Sequence, residues 1–357
     1  MSGQYNKIAL VPAYKPDGTL LEVIRGLTDN GFEVVVVNDG SGSEYDNVFD
    51  KASESAEVLS FDVNRGKGEA LKSGKKYIRD TFKPPYIVLT IDSDGQHRVK
   101  DALRIVDCAC ENPDDLVIGK RNLKLKGTPL RSKVGNNITH FGFRQATLTH
   151  LNETQTGLRA FSDRIIDKVV DAKGSRYEYE MIVLMTLSRL GVRIHEVEIE
   201  TVYEDGNSSS HFNPFPDSVR IYWSILKFAW PAMLCFLIDL AVFVVCFIRT
   251  SGPELWLMRD FSNMSLLNMI FISNVTARTV STVCDIIINK RVLFRNSKSK
   301  CKVVILYILL LLAVFAIDTA LVSGFAFIGV IPYIGKVLTM LLITWLSRII
   351  QAKIFEL

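Results

Sequence analysis

The sequence predicts an α/β domain built on a mainly parallel sheet, followed by an all-α domain of four membrane-spanning helices. Three observations carry that expectation. The composition changes near Tyr222: the chain before it mixes charged and apolar residues, and from Phe228 onward long apolar runs dominate. In the first part, short β-rich runs alternate with helical stretches, the pattern of an open parallel sheet. In the second, four apolar runs reach the roughly 20 residues that a bilayer-crossing helix needs. A chain of 357 residues, 48% of them hydrophobic, has ample material for more than one core. The expected divisions are residues 1–212 for the α/β domain, 213–227 for an interfacial helix and 228–357 for the membrane domain.

Taken in order, residues 7–12 form the first strand candidate, and a helix follows over 19–30. FEVVVVN at 32–38 is a nearly continuous apolar run, as expected of a strand buried on both faces. Further strands are expected at 58–61 and 86–91, each after a helical segment. Ligands of such sheets bind beyond the carboxyl ends of the strands, so the residues just past each strand are the candidates. They are Pro12-Ala13-Tyr14, then Asn38-Asp39-Gly40-Ser41, then Asp92-Ser93-Asp94-Gly95-Gln96. An aromatic ring with a carboxylate suits a nucleoside. A carboxylate pair suits Mg²⁺ or Mn²⁺, hard cations that bridge carboxylates to phosphates. The same Asp, Ser and Gly residues are also ordinary turn formers, so the pair alone leaves both readings open.

The expected spans are residues 228–248, 264–288, 303–328 and 330–350. The second carries Arg278 and Asp285, the fourth Lys336 and Arg348. The link from Asn289 to Lys302 holds six basic residues and no acidic one, which makes it cytoplasmic by the positive-inside rule. Four spans then put both termini and the whole α/β domain on the cytoplasmic side. Asp239 and Asp318 occupy similar places in the first and third spans, a weak two-helix repeat of the kind transporters show. Such residues either mark a pathway through the bundle or pair with Arg278 and Lys336 to hold it. Ahead of the first span, PFPDSVRIYWSILKF alternates aromatic, aliphatic and basic residues at helical spacing; Tyr222 and Trp223 within it, and Trp230 two residues past it, suit a helix lying at the headgroup boundary.

Other classes find little support. A net charge of +4 without an aromatic-interleaved basic patch argues against nucleic acid. The polar start MSGQYNK lacks a signal-peptide pattern. Cys108 and Cys110 have no second pair to complete a zinc site, and free thiols in a reducing compartment are expected. No Gly-x-x-x-x-Gly-Lys-Ser/Thr occurs, and NRGKGEAL is not the dinucleotide fingerprint.

VPAY, NDGS, NRGKGEAL, DSDGQH, GKR and ETQTGLRAF, in this order, resemble a family 2 glycosyltransferase of the GT-A fold. Within it the resemblance is to polyprenyl-phosphate glycosyltransferases of the dolichol-phosphate mannosyltransferase type, over roughly residues 7–222. The apolar half resembles a GtrA-like membrane domain. The resemblance implies a nucleotide-sugar donor, UDP-glucose being the expected one and GDP-mannose or UDP-GlcNAc the alternatives. It implies an undecaprenyl or other polyprenyl phosphate acceptor and Mg²⁺ or Mn²⁺, and it allows a homo-oligomer.

By position, it assigns Pro12, Ala13, Tyr14, Asp17, Asn38, Asp39, Lys67 and Ser93 to the nucleotide. Asp92, Asp94 and Gln96 fall to the metal, and Arg121, Arg131, Arg159 and His211 to phosphates of donor or acceptor. Asp94, Glu153 and Arg131 would carry the catalysis. Two positions depart from the family pattern. Lys15-Pro16-Asp17 stands where relatives have an Asn-Glu pair, and Glu153 stands where Asp is usual. Arg159 is equally readable as a fold residue pairing with Glu153 or Glu180. Glu178 and Glu180 read as helix-capping or helix-facing residues, and His97 as either a turn residue or a neighbour of the metal. His140, His150 and His195 read as structural. The alternative function is a translocator of lipid-linked sugar, with the α/β domain binding donor or regulating. Transfer to a growing polysaccharide is disfavoured because the Gln-x-x-Arg-Trp motif is absent.

Overall fold

A computed structural model describes residues 5–121, 139–140, 142–144, 146–147, 149, 151–200, 214–251, 264–293 and 300–355. The chain divides into two compact units. The first comprises Met1–Phe143 and Leu151–Ile225, the second Arg144–His150 and Leu226–Leu357.

In the first unit the described residues include a seven-stranded sheet. Its strands are β1 (Asn6–Ala13), β2 (Glu33–Asn38), β3 (Glu57–Ser60), β4 (Tyr86–Thr90), β5 (Leu116–Arg121), β6 (Arg159–Ser162) and β7 (Ile194–Ile199). Their order is β3-β2-β1-β4-β6-β5-β7. All neighbours run parallel except β6, which is antiparallel to both β4 and β5. The expected mainly parallel α/β sheet is therefore present. The four strands foreseen from sequence match β1–β4 to within a residue or two, whereas β5, β6 and β7 were not foreseen.

The described helices of this unit include α1 (Thr19–Thr28), α2 (Asp46–Ser53), α3 (Lys67–Thr81), α4 (Val99–Glu111), α5 (Ile166–Val170) and α6 (Glu178–Leu190). Helix α1 buries Leu20, Val23, Ile24 and Leu27, the i, i+3, i+4, i+7 set of one helical face. That face joins a core in which Val34, Val36, Leu89, Ile105 and Ala160 are also buried. Register aligns the strand ends: Ala13 pairs with Asn38, and Leu10 pairs with Thr90. The residues that follow β1, β2 and β4 therefore leave the sheet at one rim.

The remaining helices are α7 (Pro214–Ser251), α8 (Met264–Leu293), α9 (Lys300–Phe327) and α10 (Pro332–Phe355). The expected interfacial segment and first span are one helix, α7, and the boundary between the units falls inside it. In the second unit, helices occupy all four predicted apolar stretches. Among the described residues, one segment, Ile308–Phe327, is long and apolar enough to cross a membrane, and Pro332–Ile343 is a shorter apolar segment. An apolar cluster of Phe243, Phe247, Ile270, Ala277, Val322 and Ala326 draws on α7, α8 and α9. Beside it each helix contributes one charge to a buried network. Lys336 lies 2.8 Å from both Asp239 and Asp318, and Arg278 lies 3.2 Å from Asp239 and 2.8 Å from Asp318. Asn274 accepts from the Lys336 ammonium, and Ser281 donates to Asp239. Both aspartates thus have the cationic partners that sequence offered for them.

Candidate active site

The rim of the sheet opens into a cavity of about 530 Å³ in the first unit. Among the residues assigned from sequence, Pro12, Ala13, Tyr14, Asp17, Asp39, Lys67, Asp92, Ser93 and Asp94 line it. Lys15, Asn64, Gly66, Arg176 and Tyr177 line it as well.

Each wall follows from local chemistry. Asp17 accepts from the Thr19 amide at 2.9 Å, a local turn bond two residues long that leads the chain into α1. Past β2, Asp39 accepts from the Arg65 and Gly66 amides and from the Asn64 side chain. Burial raises the Asp39 pKa, and those backbone donors oppose the rise. The loop can come this close because Gly66 has φ +99°, and a Cβ there would collide with Ser175 and Arg176. The glycines of NRGKGEAL therefore seat the loop against the segment that brings Arg176 and Tyr177 to the cavity.

Asp92 and Asp94 follow β4. Lys67, at the first position of α3, sits 2.7 Å from Asp92 Oδ1 and 3.1 Å from Glu180 Oε2. His97 Nε2 lies 3.8 Å from the other Asp92 oxygen, with the side chain only 6% exposed. Burial would raise the Asp92 pKa, but the Lys67 ammonium and His97 outweigh it and hold the carboxyl well below the usual range. Asp94 is raised, by burial first and then by the charge of Asp92, although the Gln96 amide donates to it at 3.2 Å. Lys67 is pulled down by burial and pushed up further by Asp92 and Glu180, so it stays an ammonium. Gly157 backs Asp92 so closely that a Cβ there would run into both carboxylate oxygens.

Other assigned residues have different places. Asn38 does not line the cavity: its side-chain oxygen accepts from the Ser41 amide and shapes the turn. Arg121 and Glu153 engage each other through two hydrogen bonds of 2.7 and 3.1 Å. Glu153 has no exposed surface, and it also accepts from the Thr154 and Gln155 amides. A carboxylate committed in this way is not a free base. Arg159 is a correction to the phosphate assignment: it is 5% exposed and donates to the backbone carbonyls of Thr154, Thr156 and Glu180. It is built into the fold beneath the cavity, and its partner at Glu180 is the carbonyl rather than the carboxylate. Gln96 lies two residues beyond Asp94 in the chain and is not among the lining residues. Arg131 and His211 fall outside the described residues, as does His150. Glu178, the first residue of α6, accepts from the Ser175 and Arg176 amides of the preceding segment, and the helix start has no side-chain cap. His195 is 2.9 Å from Asp115, away from the cavity.

Behind the wall, Lys75 on α3 is 4% exposed and donates to the Tyr179 hydroxyl at 3.3 Å. Burial, then the like charge of Arg159, lowers its pKa to about 7 despite Glu180. Between pH 7 and the ordinary 10.5 the unfolded chain holds a proton that the folded chain has lost. Stability therefore rises with pH across that window. Lys75→Met removes the linkage, and the expected gain in thermal midpoint is larger at pH 6 than at pH 9. An equal shift at both pH values would contradict this.

Comparison with known proteins gives three relevant matches beyond a family profile. Residues 8–171 match the profile described as Glycosyl transferase family 2. An uncharacterized protein of Methanocaldococcus jannaschii is 33% identical over 218 residues, spanning 57% of this chain and 84% of that protein. UDP-N-acetylglucosamine--dolichyl-phosphate N-acetylglucosaminyltransferase of Methanococcus voltae is 26% identical, over 55% of this chain and 85% of its own length. Dolichyl-phosphate beta-glucosyltransferase of Saccharomyces cerevisiae is 23% identical, over 56% of this chain and 67% of its own length.

Proposed function

Since the chain belongs to glycosyl transferase family 2, we propose that it transfers one sugar from a nucleotide-sugar to a polyprenyl phosphate at the cytoplasmic membrane face. The observation that carries this is the clustering of Tyr14, Asp39, Asp92 and Asp94 around one cavity at the strand ends of a GT-A-like sheet. The two dolichyl-phosphate transferases among the relatives support a lipid phosphate as acceptor. The long apolar segment Ile308–Phe327 supports a membrane location, with the helices α7–α10 as the spans.

Tyr14 and Asp39 hold the nucleoside, and Lys67 and Arg176 face the diphosphate. Asp92 and Asp94, with Gln96, hold Mg²⁺ or Mn²⁺. No group of three or more His, Cys, Asp or Glu suited to a metal occurs among the described residues. Two carboxylates are nevertheless enough for a cation that takes its other ligands from phosphate and water. The residues fit: Asp94 is raised by burial and then by the charge of Asp92, a repulsion that a cation between the two relieves. When bound, the ion neutralises charge developing on the departing diphosphate.

The acceptor chemistry matches the state of Glu153. A lipid phosphate, with a second pKa of about 6 by analogy with phosphorylated side chains, is anionic near neutral pH and attacks without a strong base. The buried, arginine-bound Glu153 then positions the loop from Thr154 to Gly157 behind Asp92. A single displacement inverts the anomeric centre and gives a β-linked lipid from an α-linked donor.

UDP-glucose is the proposed donor, because the yeast relative is named for glucosyl transfer. UDP-N-acetylglucosamine, named in the Methanococcus relative, is the next to screen. Membranes holding the full chain, given labelled UDP-glucose and polyprenyl phosphate, are expected to yield labelled lipid. No labelled lipid with these or with GDP-mannose would overturn the reading.

A further inference from the structure

The Lys67 ammonium occupies the place on Asp92 that a divalent ion would need. We propose that Lys67 is an internal cation holding Asp92 in the donor-free site, and that Glu180 is the seat it keeps when the metal takes Asp92. The inference rests on the metal assignment made under the proposed function.

Three observations support it. Lys67 touches two carboxylates at once, Asp92 at 2.7 Å and Glu180 at 3.1 Å, so leaving one does not strand the charge. All three side chains lie mostly out of solvent, with 18%, 27% and 12% of their surfaces exposed. An ammonium hydrogen-bonded there is not readily exchanged for water. The surroundings also allow a short swing. Lys67 and Asp92 both line the cavity, and Tyr177 offers a ring 5.9 Å from the ammonium on the open side.

Without donor, a divalent ion must displace an ion pair already formed. With donor, the diphosphate supplies negative charge on the cavity side. It adds ligands for the metal and draws the ammonium off Asp92 toward Glu180 and the phosphates. Metal and nucleotide then bind with positive coupling, and by linkage each strengthens the other by the same factor. Glu180, which sequence offered as a helix residue or a partner of Arg159, becomes a positioning residue acting through Lys67.

The two carboxylates make opposite predictions for two variants, which a merely structural role would not. Mn²⁺ binding to the purified full chain in detergent is followed by electron paramagnetic resonance, with and without UDP. The wild type is expected to bind Mn²⁺ weakly alone and more tightly with UDP. Lys67→Met removes the competing charge, and its affinity for Mn²⁺ without UDP is expected to rise by about tenfold or more, the scale of one charge-assisted hydrogen bond. Its coupling to UDP shrinks accordingly. Glu180→Gln removes the second seat, fastens Lys67 to Asp92 and weakens Mn²⁺ binding even with UDP. Wild-type Mn²⁺ affinity that is indifferent to UDP, or a Lys67→Met affinity equal to the wild type, would overturn the exchange while leaving the metal assignment standing. Absence of Mn²⁺ binding in every variant, with UDP present, would overturn both.

Discussion

Asp94→Asn is expected to lower sugar transfer about 10²- to 10⁴-fold, the size of several kcal/mol of charge stabilisation at the leaving group. Asp94 is the cleaner of the two carboxylates to test. Asp92 is tied to Lys67 and approached by His97, so its removal also unbalances Lys67 and Glu180. Asp94 accepts the Gln96 amide at 3.2 Å, a bond that an asparagine oxygen can retain. The substitution also removes a carboxylate raised by burial and by its neighbour's charge, so the fold is expected to stay as stable as before. Transfer is measured as label passing from nucleotide-sugar to extracted lipid, and folding as the thermal midpoint. A fully active Asn variant would remove the metal assignment.

The second large effect is expected in the helical unit. Lys336 has no exposed surface and binds Asp239 and Asp318 at 2.8 Å each. Lys336→Met leaves two buried carboxylates sharing Arg278, and breaking a buried pair in this way costs about 3–5 kcal/mol. Lys336→Met combined with Asp318→Asn restores the charge balance and is expected to recover part of the loss, because coupled neighbours are non-additive. Both are read as the thermal midpoint of the full chain in detergent micelles. A single variant as stable as the wild type would show that the network does not hold these helices.

The parts of this protein legible in sequence are those that lie close together along the chain. Tyr14, Asp39, Asp92 and Asp94 each follow a β-rich run directly, so the strand-end rule finds them without knowledge of their neighbours. Asp239 and Asp318 stand out because charge is rare in apolar runs. Pairings between distant segments leave no such mark. Arg121 and Glu153 are 32 positions apart and look like two separate functional residues until the sheet brings them together. Arg159 reads as a phosphate ligand because its guanidinium is a strong donor, yet its bonds go to carbonyls of the turn and of α6. Arg176 and Tyr177 reach the cavity from a segment with no strand before it, and Glu180 reaches Lys67 across a gap of more than a hundred residues. The antiparallel β6 was hidden for another reason: RAFS is too short a run to announce a strand, and its partners on both sides lie far away in the sequence.

The central claim is that the acceptor is a lipid phosphate. It is tested most directly with the purified full chain in vesicles containing either polyprenyl phosphate or the corresponding polyprenol, each supplied with labelled UDP-glucose and Mn²⁺. The account predicts labelled lipid from the phosphate vesicles alone, with the label then freed from the lipid as sugar by mild acid, which cleaves a glycosyl phosphate at the anomeric carbon. Equal labelling of the alcohol, or label found only as free sugar in both, would contradict it.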